Sequence, residues 1–235
     1  MAQTTEIEAV EEESPQQPSA SSGAVWRLPV PVYRVTQLLG EQLAEALLER
    51  TTQMGADTHA SDINRAPADT TAGRFRSHSP FPAPELTAAI SAVQPVVAQA
   101  LGICCHQTVP VHQLDVHNDG DFHQPHQGTT NAGEHESALS FIYFLHRTPR
   151  PFRGGEHRVF DSAVPLDSGR VLKPYELTWQ DWEPEHDTIL FFPPNAWHEV
   201  RPVSCPGQRH EDSRFSISGW LRHPGIPHPT QHPTH

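Results

Sequence analysis

Basic charge is what this 235-residue sequence has least of. It contains a single lysine, Lys173; the other cations are arginines, and 28 acidic residues set the formal net charge at −12. Such a balance argues against a nucleic-acid partner held through its phosphates. Cysteine is scarce as well. Cys104 and Cys105 are adjacent and Cys205 stands alone, so there is no disulfide framework, and a reducing, cytoplasmic setting is expected. No apolar run approaches membrane-spanning length, and the opening MAQTTEIEAV lacks the charged-then-apolar layout of a signal peptide. Hydrophobic residues make up only 36% of the chain, too few for every segment to be packed.

Proline and histidine are what the chain has in excess, with 24 and 17 residues. The prolines thin the options for helix. Four histidines (His223, His228, His232, His235) fall in a Pro-rich tail, and most others lie between His106 and His210, where the chemistry is to be sought. Residues 1–23, acidic and rich in Pro, Ser and Gln, read as a disordered leader, residues 24–222 as one domain, and residues 223–235 as a disordered tail. Leucines at helical spacing predict a helix within residues 32–54, with Thr36 as its N-cap. Residues 55–80 read as loop. A second helix is predicted from Pro84 to Leu101, kinked at Pro95. After Gly102 come short β-branched and aromatic runs at 109–117, 139–146, 156–161, 175–180, 188–193 and 214–221, several separated by turn clusters. The pattern is two helices followed by an all-β body, a sandwich or barrel.

Three pieces of that body carry the chemistry: HQPHQG (123–128), NAWHEV (195–200) and RFSISGW (214–220). In the last, strand alternation sets Arg214, Ser216 and Ser218 on one face and Phe215 and Ile217 on the other. A guanidinium beside a hydroxyl can grip a carboxylate through charge-assisted hydrogen bonds; a structural ion pair is the alternative for Arg214. Together with NDGD, FIYFLHRTPRPFRGGEH and DTILFFPPNAWHEVRPV, these motifs resemble, over roughly residues 110–222, the Fe(II)/2-oxoglutarate-dependent oxygenases, most closely their prolyl 4-hydroxylase-like branch.

The resemblance implies a mainly β protein, with a double-stranded β-helix (jelly roll) core over about residues 109–222 preceded by two or so N-terminal α-helices. It implies Fe(II) held by His126 and His198, 2-oxoglutarate and O2 as cosubstrates, and Arg214 with Ser216 at the distal carboxylate. His117, nine residues before His126, stands where the family often has a cosubstrate-contacting Tyr; it is either such a donor or a plain strand residue. Tyr143 is a further candidate contact, with packing as its alternative. His123, His135 and His146 are expected to be solvated. His157 stands at a turn position where relatives tend to have an apolar residue, and no role is read for it.

The departure from the family is Gly128, where the motif has its metal-binding Asp. Loss of that carboxylate gives iron one more open position and one less anion, and both invite chloride. The superfamily's halogenases have this His-x-Gly or His-x-Ala pattern, with a halide on iron in the open position. The expected function is therefore oxidation of an unactivated C–H bond, coupled to decarboxylation of 2-oxoglutarate. Halogenation beside Gly128 is the leading reading, and hydroxylation the alternative, with the Asp replaced by Gly128 naturally or by design. A carboxylate from Glu134 or Glu136 would also complete the site. A non-catalytic binding module on the same fold is a competitor of another class. A zinc hydrolase is disfavoured, because His123 and His126 in one strand would lie on opposite faces. The substrate is expected to be a small molecule or a peptide, with residues 76–84 and 162–174 as candidate lids.

Overall fold

A strand such as SALSFIYFL has no polar face to give to water, so both of its sides must be covered. The computed structural model, which describes residues 25–56, 73–78, 80–105, 108–128, 137–165 and 171–223, shows how. Strands β1 (Val25–Leu28) and β2 (Tyr33–Thr36) precede helix α1 (Glu41–Ala56), and β3 (Gly73–Arg74) and β4 (Arg76–His78) precede helix α2 (Pro84–Leu101). Then follow β5 (Val109–His117), β6 (Phe122–His126), β7 (Ser137–Leu145), β8 (Arg153–Gly154), β9 (His157–Phe160) and β10 (Ser162–Pro165). The series ends with β11 (Trp179–Trp182), β12 (Thr188–Phe192), β13 (His198–Val200), β14 (Val203–Ser204) and β15 (Arg214–Arg222).

A six-stranded sheet runs β2-β12-β7-β15-β5-β4 and a five-stranded one β11-β9-β13-β6-β3. All their pairings are antiparallel, and the result is the jelly roll expected. The outer face of the larger sheet carries Phe141, Tyr143, Leu145, Phe215 and Ile217, packed against Leu47, Leu86 and Ile90 of the two helices. Ile142, Phe144, Leu190 and Phe192 point the other way, to meet Val159 of the smaller sheet. Burying each such side chain contributes roughly 1.5–3 kcal/mol.

Several expectations are corrected. Residues Tyr33–Thr36 are not the start of a helix; they pair with β12, Thr36 opposite Thr188. Their aromatic and β-branched side chains suit a strand, and an available strand edge overrides the leucine period. The chain then turns through Gln37 and Gly40, both at positive φ, and the Asp187 carboxylate accepts the Leu39 and Gly40 N–H groups at 2.9 Å each. Helix α1 starts only at Glu41. Helix α2 has its predicted bounds, runs on through Pro95 and ends at a left-handed Gly102. In the stretch read as a strand at 175–180, Tyr175 belongs to a 3-10 turn, and pairing begins at Trp179. The stretch read as loop holds β3 and β4, too short to show a period. The supposed leader, residues 1–23, and the tail after His223 lie outside the described residues, as do Glu134, His135 and Glu136. Of the candidate lids, 162–174 begins with β10, which pairs with β1. The three cysteines are free thiols. No helix among the described residues is long and apolar enough to cross a membrane.

Candidate active site

Alternation along four strands delivers polar side chains into the space between the sheets. Asp115 and His117 of β5, Ser216 and Ser218 of β15, and His126 and His198 of β6 and β13 line one cavity of about 520 Å³. Register sets their neighbours: Arg214 lies opposite His117, and Ser216 lies between Asp115 and Phe144.

His126 and His198 are direct partners across β6 and β13, with ring centroids 4.1 Å apart. The Nδ1 of His126 is 2.8 Å from the Gln124 carbonyl, and that of His198 is 2.9 Å from the Ala196 carbonyl. A carbonyl only accepts, so each Nδ1 carries the proton and each Nε2 keeps its lone pair. Burial holds the His126 imidazole below its ordinary range, and burial with the nearby His126 holds His198 well below it. Both are therefore in the neutral form that a metal requires. The strand behind His198 is braced from outside. Buried Glu199 accepts from Tyr175 Oη at 2.8 Å and pairs with Arg158 at 3.3 Å, while Arg158 makes a two-pronged bond to Asp181 and lies over Trp179.

His123 does not lie on the opposite face from His126, and it is half-buried rather than solvated in full. Strand β6 advances three residues, from His123 to His126, while β13 advances two. This bulge spans Pro125, which has no N–H to donate. The two rings stack at 3.6 Å, inclined by 18°. Stacked rings aim their lone pairs along near-parallel lines, which cannot converge on one ion at a bond length of about 2.1 Å. Among the described residues, no group of three or more His, Cys, Asp or Glu side chains is placed to hold a metal. Among the described residues, the histidine pair stands without a carboxylate.

Behind Ser216 of the cavity wall, Arg214 is fully buried. Its Nε donates to the Gly155 carbonyl at 2.7 Å and Nη1 to Ser216 Oγ at 3.0 Å, whereas Nη2 has no partner. Burial draws the guanidinium down to about 10, with the charges of Asp115 and Glu156 opposing, so it stays cationic at neutral pH. His117 stacks on Phe75 at 5.0 Å, and neither of its ring nitrogens is bonded. Asp115, missed in the sequence, accepts from Gln113 Nε2 at 2.8 Å and Ser218 Oγ at 2.6 Å; burial pushes its carboxyl up. Its place two residues before His117, on the same face of a strand, was the available signal.

Three further expectations change. Tyr143 faces the helices, not the cavity, and its hydroxyl donates to Asp187 at 2.7 Å; odd and even positions of β7 serve opposite faces, which excludes it from cosubstrate contact. His146 is buried, with Nδ1 on the Arg147 carbonyl. His157 lies in β9, not at a turn, and is buried in the cavity wall. Gly128 adjoins the cavity. A Cβ there would lie 2.9 Å from Trp220 Nε1 and 3.0 Å from Ser140 Oγ, the latter buried and unbonded. An indole N–H, a hydroxyl and, at 3.4 Å, the Pro194 carbonyl thus close on the position where a carboxylate was expected.

Fold and cavity together define a jelly-roll protein with a histidine pair in the wall of a pocket and, behind a serine of that wall, a buried arginine with one nitrogen unpaired. Residues 111–222, the span from β5 to β15, match the 2OG-Fe(II) oxygenase superfamily. Among curated proteins the chain is similar to an uncharacterized PKHD-type hydroxylase, sll0191, of Synechocystis sp., at 31% identity over 110 residues; this covers 47% of the chain and 35% of that protein. The match thus spans about a third of the relative's length. Among solved structures, a Pseudomonas putida prolyl-4-hydroxylase superposes with a TM-score of 0.55 at 20% identity, covering 83% of this chain and 94% of that one. A Trichoplax adhaerens prolyl hydroxylase, solved with a hypoxia inducible factor peptide, gives 0.52 at 12%, covering 81% and 83%. The epimerase SnoN from nogalamycin biosynthesis gives 0.55 at 13%, covering 83% and 79%. These likenesses establish a shared fold, and a fold that serves hydroxylases and an epimerase does not choose the reaction.

Proposed function

We propose that this protein is an Fe(II)- and 2-oxoglutarate-dependent oxygenase that hydroxylates an unactivated C–H bond of a small molecule or peptide. The observation that carries the reading is one cavity lined by His126 and His198, with both Nε2 lone pairs free, and by Ser216, which the buried, charged Arg214 grips from behind with its own Nη2 unpaired. His126 and His198 would hold the iron, a set that leaves coordination positions open. Arg214 and Ser216 would hold the distal carboxylate of 2-oxoglutarate, with His117 beside them. Iron and cosubstrate, when bound, supply O2 activation coupled to oxidative decarboxylation. The chain's own part is to fix both histidine tautomers through backbone carbonyls, to keep both rings neutral, and to hold an oriented guanidinium against Ser216 of a pocket that Phe75, Ile142 and Phe192 also line.

Hydroxylation now ranks ahead of halogenation, reversing the order that Gly128 alone implied, because the curated relative and two of the three structural neighbours are hydroxylases by name. Halogenation remains a second reading on one observation. The two polar atoms nearest a Cβ at Gly128, Trp220 Nε1 and Ser140 Oγ, can both donate, with the Pro194 carbonyl farther off at 3.4 Å, and two such donors suit a small anion. The deciding experiment is an anaerobic titration with Fe(II) and 2-oxoglutarate, with and without chloride, followed by the visible charge-transfer band. A band indifferent to chloride supports the hydroxylase, and one that shifts with chloride restores the halogenase. Absence of any band defeats both and leaves the non-catalytic binding module.

A further inference from the structure

The cosubstrate end of the cavity has more unpaired polar atoms than Arg214 accounts for. His157 follows Gly155 by two residues, and the Gly155 carbonyl takes the Arg214 Nε–H. Its ring is 2% exposed and packs 5.3 Å from Phe192, 5.3 Å from His198 and 6.4 Å from Phe144. The Arg214 guanidinium lies 5.1 Å from that same Phe144 ring, so imidazole and guanidinium flank one aromatic side chain. Neither nitrogen of His157 has a hydrogen-bond partner. A leucine would fill this niche without penalty, whereas a buried polar group left unpaired destabilises the fold. His157 is not a buttress for His198 either, since the His198 Nδ1 is already taken by the Ala196 carbonyl. What remains is a ligand. Imidazole offers an N–H in either tautomer, and a carboxylate beside Arg214 has lone pairs to receive it.

We propose that His157 is a cosubstrate-binding residue, donating an N–H to the same carboxylate of a 2-oxo dicarboxylate that Arg214 Nη2 and Ser216 hold. This rests on the reading of the cavity as an Fe(II)/2-oxoglutarate site. The test is equilibrium binding of 2-oxoglutarate to the Mn(II)-loaded full-length protein under anaerobic conditions, by calorimetry, alongside the melting temperature of the metal-free protein. In His157→Leu the 2-oxoglutarate Kd should rise about tenfold or more, Mn(II) affinity should hold, and the metal-free melting temperature should stay level or rise. Those opposite signs separate a ligand-binding role from a structural one. His157→Asn, which keeps an N–H, should stay within about threefold of the parent. If the Leu variant does not fold, His157→Ala serves the same binding comparison. A parent that binds 2-oxoglutarate and a His157→Leu that binds it equally well overturn this inference alone, as does a variant that loses stability and affinity together. A parent that binds no 2-oxoglutarate overturns both the inference and the functional reading beneath it.

Discussion

At Arg214 the geometry separates two roles within one side chain. Nε and Nη1 are committed to Gly155 and Ser216, and only Nη2 is free. Arg214→Lys replaces a fork with a point charge, so it should abolish measurable 2-oxoglutarate binding while leaving the Mn(II) affinity of the histidine pair intact; loss of both in calorimetry would contradict the division of the cavity. Tyr143 gives the converse case. Its hydroxyl donates to Asp187 on the helix side, so Tyr143→Phe should destabilise the protein by about 1–2 kcal/mol in urea and leave the 2-oxoglutarate Kd unchanged. Residue types alone could not place it. Tyrosine suits a packed core and a carboxylate pocket equally, and only the parity of β7 decides. His157 was illegible for a related reason. A buried imidazole with no partner contradicts the usual rule for core positions, and such departures are expected where a ligand completes the pairing.

Among elements, legibility followed burial. Strands β5, β7, β12 and β15 were readable because central strands covered on both faces leave near-continuous apolar or aromatic runs. Strands β3 and β4 were not, since GR and RSH become strands only by pairing with β6 and β5. The start of α1 was misplaced because its entry is set from afar, by Asp187, 146 positions beyond Glu41 in the chain. Asp187→Ala should therefore loosen the β2–α1 junction, with faster amide exchange at Leu39 and Gly40 and a loss of about 2–3 kcal/mol. Unchanged exchange at those two amides would show that the turn holds itself. In β15, Gly219 lies against the Val111 carbonyl so closely that a Cβ would collide with it. Gly219→Ala should cost about 3 kcal/mol by forcing β5 and β15 apart, measurable as a lowered urea midpoint.

For the molecule as a whole, the concentration of histidine makes folding a function of acidity. His112, His117, His123, His126, His146, His157 and His198 all have imidazoles held below the ordinary 6.5 chiefly by burial, His123 down to about 3. The unfolded chain takes up protons near pH 6.5 and the folded one only further down. Between those limits the unfolded state binds more protons. Stability is thus full above pH 6.5 and falls as the pH drops below it, by about 1.4 kcal/mol per pH unit for each fully buried ring. Urea midpoints of the metal-free protein should drop steeply from pH 7 to pH 5; a flat profile would mean that these rings are not desolvated.

The crowding at Gly128 also bears on any attempt to rebuild the missing ligand. With Trp220 Nε1 and Ser140 Oγ at 2.9 and 3.0 Å from the missing Cβ, restoring a carboxylate there in one step meets an indole that has settled into part of its volume. Any side chain at position 128 therefore requires the Trp220 ring or the Ser140 hydroxyl to give way. Rebuilding the ligand is thus a repacking problem as much as a chemical one, and a Gly128→Asp exchange reports on the neighbours together with the metal.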